Sequence, residues 1–114
     1  PMLKVSSIEQ FLKKCLKIKK PSFAVQEINN YFLSKKNKPF NYNNRITTIN
    51  TKTVERVKQF AHCFYFFKTS YYKKNNWFWN WKDLNYVTIP KNHQTFDIDT
   101  KDDFNIAKKL YKYI

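Results

Sequence analysis

Thr95-Phe96-Asp97-Ile98-Asp99-Thr100-Lys101-Asp102-Asp103-Phe104-Asn105-Ile106-Ala107 changes period in its middle. The first half alternates apolar and acidic residues with the two-residue period of a strand. On that reading Asp97 and Asp99 project from one face, while Phe96 and Ile98 anchor the other. At Thr100 the pattern becomes helical. Thr100 and Asp103 have the spacing of a capping pair, and Phe104, Ala107, Leu110, Tyr111 and Ile114 form an apolar stripe expected to be buried. Asp102 and Asp103 fall in the first turn, where they complement the helix dipole.

The chain has eight acidic residues, and four of them lie between positions 97 and 103. Capping explains Asp102 and Asp103. Asp97 and Asp99 lack such an explanation, because two like charges side by side at a strand end repel each other. A Mg²⁺ ion relieves that repulsion, and Mg²⁺ commonly sits on one or two carboxylates plus substrate phosphates. A calcium loop is the obvious rival. It fails for want of its glycine, and Lys101 and Lys108 stand where oxygen ligands belong. A pair of carboxylates alone leaves the metal question open.

Working outward, Tyr86-Val87-Thr88-Ile89 reads as a strand stopped by Pro90. Trp77, Trp79 and Trp81 alternate at the strand period and so share a face, expected to be closed by a neighbouring segment or subunit. Lys68 to Lys74 reads as a short helix ended by Asn75-Asn76, and Ala61 to Phe67 as a strand too apolar to face water on either side. Thr51 to Val57 reads as one or two helical turns. Between Glu27 and Asn50 the turn formers Asn29-Asn30, Asn37-Lys38-Pro39 and Asn43-Asn44 outline a hairpin-like excursion. Ser22 to Val25 is a short buried strand after Pro21. Before it, Ile8, Phe11, Leu12, Cys15 and Leu16 form the apolar face of a helix, with Ser6 and Glu9 spaced as its capping box. Helix followed at once by strand is the beat of a layered α/β domain.

The 114 residues suffice for one domain, expected to occupy positions 1–114. No stretch approaches the roughly 18 apolar residues of a membrane span. No signal-peptide core separates Lys4 from Lys13, Lys14 and Lys17, so the expected location is the cytoplasm. Cys15 and Cys63 have neither metal-site nor disulfide-framework spacing and read as reduced core thiols. The formal charge of +14 invites a nucleic-acid partner. Against it, lysine outnumbers arginine 20 to 2 and is spread along the chain, and abundant Asn, Ile, Tyr, Phe and Lys point to AT-rich coding. Nucleic acid is therefore not the expected partner.

The run Thr95–Ala107 resembles the C-terminal signature IDIDT-x-x-DF-x-x-A of the acylneuraminate cytidylyltransferases, the CMP-sialic acid synthetases and their relatives. Further pieces follow in family order. Pro1-Met2-Leu3-Lys4 with Ser7-Ile8 is similar to a P-F-L-K…I segment. Lys38-Pro39-Phe40-Asn41-Tyr42 is similar to K-P-L-N-Y, and Ala61-His62-Cys63-Phe64-Tyr65-Phe66-Phe67-Lys68 to N-A/G-F-Y-I-F-K. The resemblance spans nearly the whole chain but only the C-terminal half of the family's domain.

It implies part of a Rossmann-like nucleotidyltransferase sheet with flanking helices and a hairpin-like dimerisation excursion. The implied reaction moves CMP from CTP to the anomeric hydroxyl of an acidic, nonulosonate-type sugar and releases pyrophosphate. By the same resemblance Asp97 and Asp99 hold Mg²⁺ on the triphosphate, Tyr65 lines the sugar pocket, Arg45 meets the sugar carboxylate, and the partner is a second copy in a homodimer. The chain departs from the pattern in three places. Thr51-Lys52-Thr53-Val54 stands where the family has T-Q-D-L, and His62 where asparagine is common. The family's glycine-containing nucleotide loop has no counterpart, for the chain has no glycine, and that half of the domain is expected to lie outside it. Two other readings remain: a basic module binding single-stranded nucleic acid through its lysines and tryptophans, and a decayed relative that keeps only fold and dimer contact.

Overall fold

A computed structural model describes residues 2–90 and 93–114. Its elements are α1 (Val5–Ile18), β1 (Ser22–Ile28), β2 (Val57–Phe66), α2 (Thr69–Asn75), β3 (Asn85–Thr88), a 3₁₀ turn (His93–Thr95) and α3 (Lys101–Tyr111). The three strands form one open mixed sheet in the order β2-β1-β3, with β2 antiparallel and β3 parallel to the central strand.

Helix α1 starts differently from the expected capping box. Lys4 is the N-cap, and no side chain of the helix caps it. Gln94, far along the chain, substitutes: its Oε1 accepts the Lys4 backbone N–H at 2.9 Å and the Ser7 hydroxyl at 2.7 Å. The helix stops where Lys19 turns left-handed (φ 62°) and donates its N–H to the Cys15 carbonyl at 2.8 Å. Pro21 then forbids further helix and directs the chain into β1.

Phe11 and Cys15 of α1 bury themselves against Ala24, Ala61, Val87 and Ile89 of the sheet, with Phe64 stacked on Phe11 at 5.1 Å. Ile8, Leu12 and Leu16 belong to the same apolar face but stay exposed. Burial pushes the thiol of Cys15 up, opposed by a hydrogen bond from Ser22, and that of partly buried Cys63 likewise. Both cysteines are free thiols.

Strand β2 departs from the uniformly buried strand expected. Phe23 pairs with Tyr65 but Val25 pairs with Phe60, so three extra residues of β2 bulge out opposite Ala24. His62 lies in the bulge at φ 52°, a left-handed conformation that costs a residue with a Cβ about 1 kcal/mol. An odd insertion inverts the alternation of faces. Phe60 and Tyr65 therefore both lie with Phe23 on the side away from α1, while Ala61, Phe64 and Phe66 face the core.

The excursion between β1 and β2 is hairpin-like only at Leu33 and Pro39, which form an isolated antiparallel bridge. Asn41, buried at 7 % exposure, clips its neck. Its Oδ1 accepts the Phe32 N–H at 2.9 Å, and its Nδ2 donates to the Asn30 and Glu55 carbonyls at 2.8 and 2.6 Å. Thr51–Val57 gives one turn, closed by Thr53 and Val54 N–H groups on the Asn50 carbonyl, and Val57 already belongs to β2.

The tryptophans are not on a strand. Residues 77–84 form a loop after Asn76, which ends α2 in a left-handed conformation. Of the stripe expected to bury α3, only Ala107 is buried, while Phe104, Leu110, Tyr111 and Ile114 are exposed. The radius of gyration is 17.3 Å, against about 13 Å for a compact domain of this length. The accessible surface of 9318 Å² compares with about 6,700 Å² for a compact monomer of this mass.

Candidate functional site

Asp97 and Asp99 flank Ile98 in an unpaired segment before α3, not on a strand. The alternation that placed both carboxylates on one sheet face therefore has no ladder to enforce it. Ile98 does act as the anchor, lining an apolar groove with Met2, Phe104, Ala107 and Tyr111. Asp97 Oδ1 accepts the Ile98 N–H at 3.0 Å. Both aspartates are exposed, and among the described residues no lysine or arginine forms an ion pair with either. Among those residues no cluster of three His, Cys, Asp or Glu side chains is poised to hold a metal. The two carboxylates are the donor set a Mg²⁺ ion takes when phosphate oxygens and water supply the rest.

The segment is fixed at both ends. On one side Gln94 ties it to the start of α1, and Thr95 Oγ1 donates to Gln26 Oε1 at 3.1 Å. On the other, the full capping box forms. Thr100 Oγ1 accepts the Asp103 N–H at 3.1 Å, and Asp103 Oδ2 accepts the Thr100 N–H at 2.9 Å. These hydrogen bonds from Thr100, the hydroxyl first and the backbone N–H next, pull the Asp103 carboxyl below its ordinary value.

Arg45 lies in a polar cleft of about 480 Å³ in the excursion, with Tyr31, Tyr42, Asn50 and Glu55 among its walls. Tyr31 and Tyr42 meet edge to face at 5.0 Å, and the Tyr31 hydroxyl accepts the Asn50 N–H at 2.9 Å. The Arg45 guanidinium has no ion-pair partner among the described residues. Tyr65 is elsewhere. It sits on the sheet face away from α1, edge-on to Phe23 at 4.8 Å, with its hydroxyl 2.9 Å from His62 Nδ1. The chain thus leaves Arg45 and Tyr65 in separate surroundings, and neither lines the groove beside Asp97 and Asp99.

Three contributors escape a reading of the sequence: Gln94, Asn41 and the left-handed His62. Asn41 had a signal, its place two residues after Pro39 in a turn-rich run, and His62 stands out in the sequence only as a departure from the resembled pattern. No known protein family matches the sequence, and no curated protein matches it.

Proposed function

We propose that this chain is the C-terminal part of a CMP-sugar synthetase with a Rossmann-like sheet, acting on CTP and an acidic, nonulosonate-type sugar. The observation that carries the reading is the segment Asp97–Ala107. It presents two exposed aspartates, without an ion-pair partner among the described residues, immediately ahead of a capped helix, in a sequence resembling the cytidylyltransferase signature. Carboxylates clear of ion pairs among the described residues, in a chain so rich in lysine, are available to a cation. Asp97 and Asp99 would hold Mg²⁺, and the ion would supply charge neutralisation to the triphosphate of CTP during CMP transfer.

The chain's own residues have the remaining work. Arg45 offers a free guanidinium, suited to bidentate recognition of the sugar carboxylate, in a cleft whose other walls supply amide and hydroxyl groups. The Tyr65 hydroxyl, held near His62, offers a second polar contact to the sugar. Arg45 and Tyr65 lie apart within one copy, and a homodimer joined through the excursion would let one copy's excursion serve the other copy's sheet. Leu33, Phe40 and Ile49, exposed on the excursion, support such a contact, as does the excess accessible surface. No described helix is long and apolar enough to cross a membrane; the location proposed for the enzyme is the cytoplasm.

Asp99→Asn tests the assignment in the protein that carries this chain. Pyrophosphate release should fall by two orders of magnitude or more, roughly the loss expected when charge stabilisation at the transferring phosphoryl group is removed. An unchanged rate would sink the metal assignment.

A further inference from the structure

The sheet face opposite α1 carries an aromatic platform of which the proposed sugar site uses only the Tyr65 hydroxyl. Phe23 on β1, Phe60 and Tyr65 on β2 and Tyr86 on β3 share that face through the register and the bulge of β2. The loop after α2 closes over one end. Trp79 stands edge-on to Phe23 at 5.7 Å and meets Trp81 at 4.3 Å. Trp81 lies within 8° of the Phe60 plane and Tyr86 within 21°, each at 6.1 Å, so three rings from three elements are near-parallel. Trp81 is 60 % exposed, and Trp77, which continues the aromatic run through Phe78, is 51 % exposed.

The same stretch gathers charge. Residues 56–86 supply every ring of the platform except Phe23, and they contain six basic residues against one acidic residue, Asp83. Glu27 of β1, opposite Lys58 on the same face, is engaged by Arg56 at 3.0 Å, which leaves five lysines in the stretch. Lys58 lies two positions before Phe60 on β2, hence on the same face, and Lys82 follows Trp81. Asp83 is engaged by Lys20 at 3.3 Å. A second copy docked platform to platform would bring a like-charged face onto this one, whereas a polyanion is drawn to it.

We propose that this platform binds single-stranded nucleic acid, independently of the sugar-activating reading. Exposed ring faces stack on unpaired bases while the surrounding lysines hold the phosphates. Paired bases hide their faces, so duplex DNA gains only the charge term. With lysine instead of arginine at the rim, the phosphates are held as point charges, with little preference for sequence.

The test measures binding of a fluorescein-labelled oligothymidylate of about 15 nucleotides by anisotropy, from low to physiological salt. Trp81→Ala should weaken binding about tenfold, one stacked base lost, with the slope against log salt unchanged. Trp81→Phe should keep most of the affinity, and Lys58→Ala with Lys82→Ala should flatten the slope. Binding of a duplex of equal length should not respond to Trp81→Ala. Circular dichroism of each variant establishes that it is folded. Equal binding by folded Trp81→Ala, or none by the unaltered protein at low salt, overturns the proposal. So does a dimer in sedimentation that Trp81→Ala dissociates, since the platform would then be a self-interface.

Discussion

Thr100 and Asp103 hold each other through both side chains: the hydroxyl of one receives the backbone N–H of the other, and the carboxylate returns the contact. The Thr100 hydroxyl also donates to Asp103 Oδ2 at 2.6 Å. This reciprocal cap fixes where α3 begins and hence where the Asp97–Asp99 segment ends.

Removing the cap should loosen both. Thr100→Ala should cost about 1 kcal/mol of stability, read from chemical denaturation. The Asp103 carboxyl titrates below its ordinary value when folded, so its contribution is complete above the unfolded aspartate pKa and is lost as pH falls through the folded value. Helicity followed by circular dichroism should therefore show an acid-side loss below the ordinary aspartate range that is absent in Asp103→Asn. An identical acid profile in the two proteins would contradict the cap.

Asn41 should behave as a structural clip. Asn41→Leu leaves the Phe32 N–H and the Asn30 and Glu55 carbonyls without their partner, at roughly 1–3 kcal/mol for a buried polar group left unsatisfied. Hydrogen exchange of residues 31–54 should accelerate while β1 and β3 stay protected. Global acceleration would mean that the excursion is no separate unit.

His62 should be a site of stored strain. His62→Gly removes the left-handed penalty and should stabilise the protein by about 1 kcal/mol, while depriving the Tyr65 hydroxyl of its 2.9 Å neighbour. Urea denaturation decides it. A clear loss of stability would show that the His62–Tyr65 contact outweighs the backbone strain.

The two faces of α1 should differ sharply. Phe11→Ala opens the core beside Phe64 and should cost about 3–5 kcal/mol, whereas exposed Leu16→Ala should stay within about 0.5 kcal/mol. A large cost at Leu16 would reveal that a partner covers this face in solution.

Periodicity and capping chemistry made α1, α2, β1, β3 and α3 readable, because each is governed by neighbours within a few residues. Thr100 and Asp103 are the clearest example. What escaped was set at long range. Ser6 and Glu9 have the right spacing for a box, yet Gln94 caps α1 from the far end of the chain. The bulge at His62 inverts the face of half of β2, which no alternation pattern can register. Trp77, Trp79 and Trp81 have strand spacing but follow a left-handed Asn76 into a loop. For the candidate site, Asp97 and Asp99 were readable as unusual carboxylates, while the separation of Arg45 from Tyr65 depends on the path of the excursion.

Sugar activation is tested most directly by incubating the protein that carries this chain with CTP, Mg²⁺ and an acylated nonulosonate, and following CMP-sugar and pyrophosphate together. Equimolar formation of both, abolished in Asp99→Asn, is the expected result. No turnover with any acidic nine-carbon sugar, from a folded protein that includes the nucleotide-binding half, would contradict it.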